Sequence, residues 1–268
     1  MTLVTLSPWD LALAAVLLLA LAGLSMPLRL NLQRQIVVAA ARSTVQLILL
    51  GLVLEWVFTA AHPLWIGLIA LVMLAVAGYE VRARQKRPMA GGWGYGVGML
   101  SMFISSFTIT LLGVTVIIQV EPWHTPQYVI PLLGMLLGNT MTGIAIALDR
   151  LTDTAYQQRG QIEGRLMLGE SWGTAIETIR RDSLRAGLIP IVNAMATAGI
   201  VSLPGMMTGQ ILAGAPPLEA AKYQLMILFL VAAGTGFGAL AAVLIATRHL
   251  FDERQRLRLD RLRPAREG

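Results

Sequence analysis

LMLGESWGTAIETIRRDSLRAGLIPIVNAMATAGIVSLPGMMTGQ, residues 166–210, begins as a segment suited to water and ends as one suited to lipid. Between Glu170 and Arg185 it carries six charged side chains. From Leu188 it is apolar, interrupted by Pro190, Asn193 and Thr197, and it closes in the Gly/Pro/Met turn SLPGMMTG. The pattern predicts one continuous element that leaves the cytoplasm and enters a bilayer. Its polar part is placed to receive a mechanical input, and its apolar part to carry that input to a pathway across the membrane.

The rest of the chain supplies the membrane. Of 268 residues, 56% are hydrophobic and 13% charged, which argues against a soluble domain. Apolar runs of about 20 residues recur, the length a helix needs to cross about 30 Å of hydrocarbon. Seven spans are predicted, at roughly 9–28, 35–56, 64–81, 95–119, 128–148, 186–211 and 222–247. Ala20-Leu21-Ala22 resembles a signal-peptidase site, but no Lys or Arg precedes Arg29, so the first run is read as a retained span. The absence of Cys excludes disulfides, iron–sulfur ligation and thiol catalysis.

Charge sets the expected orientation. Arg29 and Arg34 follow the first span, and Arg82, Arg84, Lys86 and Arg87 the third. Arg150, Arg159, Arg165, Arg180, Arg181 and Arg185 follow the fifth, and seven Arg from Arg248 to Arg266 the seventh. Nineteen of the 21 basic residues thus fall on one side, whereas the opposite loops hold Glu55, Glu121, Glu219 and Lys222. The positive-inside bias predicts an outward N-terminus and an inward C-terminus. The net charge of +6 is then a topology signal with affinity for anionic headgroups rather than for nucleic acid. The expected organisation is a permease domain over 1–248 containing a cytoplasmic segment, 149–185, followed by a basic tail, 249–268. The tail is expected to be helical or frayed.

Several polar side chains fall inside the spans. Arg42 lies about two turns into the second, with Gln46 four residues on along the same helical face. Such an Arg either snorkels to the headgroups or takes a place inside the bundle. Ser101, Ser105, Ser106, Thr108 and Thr110 are expected to bond their own backbone or a neighbouring helix. Gly134 and Gly138 form a G-x-x-x-G pair expected to admit another helix closely. Asn139 needs a partner from another helix, water or cargo, and Asn193 with Thr197 is placed to face it. Pro131, Pro190 and Pro204 are expected to kink their spans. Met206 and Met207 are soft metal ligands by chemistry, yet without His or Cys nearby packing is the better reading. His62, His124 and His249 are scattered, and no catalytic motif can be assembled, so no enzymatic activity is expected of this chain.

Residues 149–185 exceed what a bare connection needs. Helical periodicity runs from Asp149 to Leu168, Gly169 offers a stop, and Ser171 is suited to cap the next helix. The result is helix, sharp turn, helix, an arrangement through which ABC-type permeases engage a separate ATPase. Glu163 and Gly169 share the E-x5-G spacing of a short importer motif, but Gly164 and Arg165 follow the acid where small residues are expected. A longer pattern is more specific. VIPLLGMLLGN (129–139), LG (168–169), RDSLRAGLIP (181–190), VSLPGMMTG (201–209) and AAKYQ (220–224) resemble the FetB-type iron-export permease family. So does the R-x-x-x-Q-L of Arg42, Gln46 and Leu47. The same family includes plant bacterial-type permeases of aluminium tolerance.

That resemblance implies an all-α polytopic permease of the bacterial inner membrane, paired as a homodimer with separate ATPase subunits and exporting iron or a related solute. The chain itself supports a need for such a partner. Its two lysines, Lys86 and Lys222, do not follow Gly, so no Walker A sequence exists and ATP with Mg belongs on the partner. The expected coupling residues are Leu168, Gly169, Glu170, Ser171, Arg180, Arg181 and Asp182. The expected pathway residues are Arg42, Gln46, Asn139, Asn193, Met206 and Met207. The alternative is an ion-coupled secondary transporter. It is disfavoured because such proteins bury carboxylates at midplane, whereas here every Asp and Glu falls in or beside a loop. A retinal pump would need a Lys deep in the last span, and Lys222 sits at its edge.

Overall fold

Lipid offers no hydrogen bonds to an exposed backbone, so the long apolar runs must satisfy themselves as helices. In the computed structural model, which describes residues 7–25, 32–60 and 62–265, they do. The elements are α1 (Pro8–Leu24), α2 (Gln33–Ala60), α3 (Pro63–Ala83), α4 (Trp93–Ile118), α5 (Pro126–Gln157), α6 (Arg159–Met167), α7 (Trp172–Ala175), α8 (Glu177–Thr197), α9 (Gly205–Leu212) and α10 (Pro217–His249). Among the described residues, β pairing is confined to isolated bridges. Five helices are long and apolar enough to cross a membrane: α2, α3, α4, α5 and α10. The protein is an all-α polytopic membrane protein. Arg29, Arg266 and the end of the first predicted span lie outside the described residues.

The chain divides into two compact units. One comprises residues 1–62 with 212–214, and the other comprises the remainder. In the first, α1 opens with a reciprocal cap: Asp10 N donates to Ser7 Oγ at 3.4 Å and Ser7 N to the Asp10 carboxylate at 2.8 Å, with Pro8 in the first turn. Helix α2 is apolar and exposed along most of its length, as suits a helix facing lipid or a partner.

The second unit is built around α5. Its buried positions Leu133, Leu137, Thr140, Ile144, Leu148, Leu151 and Ala155 recur at helical spacing and meet α3, α4, α8 and α10. Helices α5 and α8 run antiparallel. Ile179 clusters with Leu151 and Ala155, Gly187 lies against Gly143 and Ala147, and Ile191 joins Leu132 and Leu136. Their closest approach is backbone to backbone: a Cβ on Gly187 would meet Gly143 O at 2.5 Å. Against α10, a Cβ on Gly238 would meet Thr140 Cγ2 at 2.5 Å and one on Gly234 would meet Leu136 Cδ2 at 2.8 Å. Small residues therefore do admit helices closely, but not at the predicted pair. Gly138 has nothing within 4 Å of its would-be Cβ, and Gly134 meets only the Met73 methyl, at 3.2 Å.

Helix α4 contains two π-helical turns, Phe103–Phe107 and Gly113–Ile118. Three of the five hydroxyls bond as anticipated, whereas that of Ser101 is buried without a partner among the described residues. Ser105 donates to Ser101 O at 2.8 Å, Thr110 to Ser106 O at 2.7 Å, and Ser106 reaches Thr140 Oγ1 at 3.4 Å.

Two expectations are corrected here. The element 166–210 is not continuous, because α8 ends at Thr197 and helix resumes only at Gly205. Gly199 adopts φ +81°, its N–H bonds Ser202 O at 2.9 Å, and Pro204 follows, so the chain leaves the helix where a left-handed glycine and a proline both favour it. Pro131 and Pro190, by contrast, are carried inside unbroken helices. The tail 249–268 is not frayed over its described part, and its helix is limited to His249 at the end of α10 and one 3-10 turn, Leu259–Arg261. Leu250, Phe251 and Leu262 are buried, Met89 pairs with Leu262, and Arg263 N donates to Pro88 O at 2.9 Å. Apolar side chains at 250, 251, 257, 259 and 262 give the segment a face to bury between its arginines.

Candidate coupling hairpin and transport surface

Of the basic segments that charge alone assigned to one side, those after the third, fifth and seventh predicted spans meet at one end of the second unit. Lys86 N donates to Asp149 Oδ1 at 2.6 Å. Arg87 Nε donates to Asp153 Oδ1 at 3.2 Å while its guanidinium lies 3.7 Å over the Tyr156 ring. These contacts tie the α3–α4 loop to the end of α5. Sequence reasoning missed Asp149, Asp153 and Tyr156, although D-x-x-x-D-x-x-Y places all three on one helical face.

From this base a hairpin projects. Helix α5 stops at Gln157, α6 restarts at Arg159, and buried Ile162 packs with Ala175, Ile176 and Ile179 of the helical return limb of the hairpin. The turn follows a Schellman pattern. Gly169 has φ +91°, Gly169 N donates to Leu166 O at 3.0 Å, and Glu170 N donates to Arg165 O at 3.1 Å. Ser171 then caps α7, its Oγ accepting from Thr174 N at 3.4 Å. The glycine stop and serine cap expected from sequence are thus present, one residue pair apart.

The tip is unusual for a charged segment. Met167 and Leu168 are 84% and 86% exposed, among the most exposed large apolar side chains in the protein, and both sit beside the left-handed glycine. Glu170 is half-buried at the turn, and Ser171 is exposed. Arg180 is half-buried, whereas Arg181 and Asp182 are exposed. Arg181 pairs with Glu177 at 3.0 Å, an exposed i,i+4 contact that contributes little to stability. The tip was legible as a turn; the exposure of Met167 was not, because an apolar residue before a helix stop more often packs inward.

The predicted pathway residues divide between the two units. Arg42 and Gln46 lie on the exposed surface of α2 in the first. Asn139, Asn193, Met206 and Met207 lie in the second. Asn139 is exposed and donates to Met135 O of its own helix at 2.8 Å, so the amide nitrogen is satisfied locally rather than by another helix or cargo. Asn193 is also exposed, and its backbone carbonyl accepts from Thr197 Oγ1 at 2.9 Å. Asn139 precedes Gly143 by four residues and Asn193 follows Gly187 by six. On antiparallel helices both therefore lie on the same side of the glycine crossing, about 6 and 9 Å along it. Met206 packs against the apolar cluster of Ile191 and Ile227, as the packing reading of that methionine requires, and Met207 is half-buried.

Among the described residues no group of three or more His, Asp or Glu side chains is placed to hold a metal ion. At the end of the unit opposite the hairpin, an apolar cavity of about 180 Å³ opens between α3, α4 and α5, lined by Ile66, Phe107, Val114, Trp123 and Leu133. Its polar lining is confined to Thr110, whose hydroxyl donates to Ser106 O, and His124, fewer groups than would fix a hydrophilic cargo.

Residues 8–251 match the family described as "Uncharacterised protein family (UPF0014)". The chain belongs to the UPF0014 family. It is 38% identical to the UPF0014 membrane protein slr1647 of Synechocystis, over 93% of this chain and 94% of that one. It is 31% identical to the "Probable iron export permease protein FetB" of Escherichia coli, over 95% and 96% of the two chains. It is 35% identical to "Protein ALUMINUM SENSITIVE 3" of Arabidopsis thaliana, over 81% and 77%. No solved structure matches. The family and the apolar helices together make the chain an integral membrane protein of a family that includes named permeases.

Proposed function

We propose that the chain is the transmembrane permease subunit of an ABC-type exporter of the bacterial inner membrane. Two copies pair, and each engages a separate ATPase subunit that carries ATP and Mg. The N-terminus lies outside and the basic end inside. The observation that carries the reading is the apolar tip Met167–Leu168 on a hairpin whose turn is fixed by Gly169 and Ser171. A solvated linker has no use for two fully presented apolar side chains on a rigid turn, whereas a groove on a partner does. Iron, which the FetB relative's name associates with export, is the proposed cargo or part of it.

Asn139 and Asn193 support the second copy. Two exposed amides at one level of neighbouring helices leave polar atoms facing lipid unless another surface covers them. The proposed pathway therefore runs along the face of the second unit that bears Asn139 and Asn193. Membrane lipid surrounds the remainder.

The test is reconstitution with the cognate ATPase subunit in lipid nanodiscs, measuring complex formation and permease-dependent ATP hydrolysis across metals and chelates. The expected result is a stable complex whose hydrolysis rises with an iron species. Uphill solute movement by the purified chain on an ion gradient, with no ATPase present, would overturn the proposal.

A further inference from the structure

The hairpin's second anchor comes from far along the chain. The first turn of α7 has free N–H groups. One, Thr174 N, is met locally by Ser171. Trp172 N instead donates to Gln255 Oε1 at 3.0 Å, a bond spanning 83 residues of sequence. Gln255 makes this contact from φ +59°, a left-handed conformation that side chains other than Gly, Asn and Asp seldom adopt. Beside it the Trp172 and Phe251 rings lie 5.6 Å apart.

The segment that presents Gln255 is itself held at both ends. The Asp252 carboxylate accepts from Arg254 N at 3.0 Å and Arg256 N at 2.9 Å, and Arg258 N donates to Leu250 O at 2.8 Å, which closes a tight loop. Beyond it Arg261 Nη1 donates to His249 O at 2.7 Å, and Ala90 N donates to Arg261 O at 2.7 Å. The loop is thus fastened to the end of α10 and to the α3–α4 connection, neither of which is continuous with α8.

Resting on the reading of the hairpin as the ATPase-docking element, we propose that residues 250–263 form a strut that fixes its attitude, with Gln255 as the positioning residue. Displacement of α3 and α10 then reaches the docking tip through the strut as well as through α8. A left-handed glutamine is conformationally costly, and glycine would suit the backbone better. What glycine cannot supply is the acceptor for Trp172.

That contrast provides the experiment. Q255G and Q255E permeases are reconstituted with the partner ATPase in nanodiscs. Complex formation, permease-dependent hydrolysis, and the distance distribution between spin labels at Glu163→Cys, exposed on α6 away from the tip, and Lys86→Cys are measured; the chain lacks native Cys, so labelling is site-specific. Q255G is expected to accumulate and bind the ATPase normally, to broaden the distance distribution, and to lower stimulated hydrolysis about fivefold, the shift in a positional equilibrium equivalent to the ~1 kcal/mol of one helix-capping bond. Q255E keeps the acceptor and is expected to match wild type in all three. Wild-type-like distances and hydrolysis in Q255G, or failure of Q255E to restore them, would overturn the strut while leaving the docking reading intact. Absence of ATPase binding by the wild-type permease would overturn both.

Discussion

Gly187→Ala tests whether backbone contact between α5 and α8 sets the frame on which the hairpin stands. The added methyl would lie 2.5 Å from Gly143 O and 2.8 Å from Ala147 Cβ. An ordinary carbon–oxygen contact is about 3.2 Å or more, so the helices must separate by about 0.7 Å or the site must hold strain. Neither neighbour is the flexible end of a long side chain. Over-packing of this kind costs about 1–3 kcal/mol, or roughly 2–12 °C of thermal midpoint for a chain of this size. Thermal unfolding in nanodiscs reads this directly. Gly138→Ala is the control: its Cβ meets nothing within 4 Å, and alanine favours helix by up to about 1 kcal/mol, so it is expected to be neutral or stabilising. Because α8 continues the return limb of the proposed coupling hairpin and packs on α5, Gly187→Ala is also expected to lower permease-dependent ATP hydrolysis. Equal midpoints for the two variants would refute the reasoning.

Met167→Ser with Leu168→Ser should leave the thermal midpoint within about 1 °C, since exposed positions contribute little, yet weaken pull-down of the ATPase at least tenfold. Asn139→Leu with Asn193→Leu is expected to accumulate normally and lose protection against iron stress; full protection would remove both from the pathway. The hydrogen bonds from Arg256 and Arg254 hold the Asp252 carboxyl below the usual range, and those from Arg258 hold Asp260 down to about 2. A depressed folded-state value stabilises above the unfolded value of about 3.9 and is lost as pH falls through the folded value. The tail should therefore stay locked at pH 5 and loosen progressively from about pH 4 downward, read as protease cleavage within 252–260. The Asp252→Asn variant should show that cleavage already at neutral pH.

The outlines of the protein were legible because the solvent imposes them. Hydrocarbon thickness forces long apolar helices, and the basic segments after the third, fifth and seventh predicted spans gather at one end of the second unit. The hairpin turn was equally legible, since Gly169 and Ser171 act within a few residues of themselves. The unbroken sixth span failed because hydropathy counts apolar residues and is blind to a single left-handed glycine. The tail failed because a count of arginines conceals an alternating apolar face that only a neighbouring loop can bury.

Sequence by itself determined that this chain is helical, membrane-embedded and furnished with a capped polar hairpin, because those properties follow from transfer free energies and from dihedral preferences acting over one or two turns. Tertiary structure alone decided which glycines touch, that Asn139 bonds its own helix, and that Gln255 reaches Trp172 across 83 residues. Such pairings depend on how close two backbones approach in space, a quantity that no periodicity within either segment records.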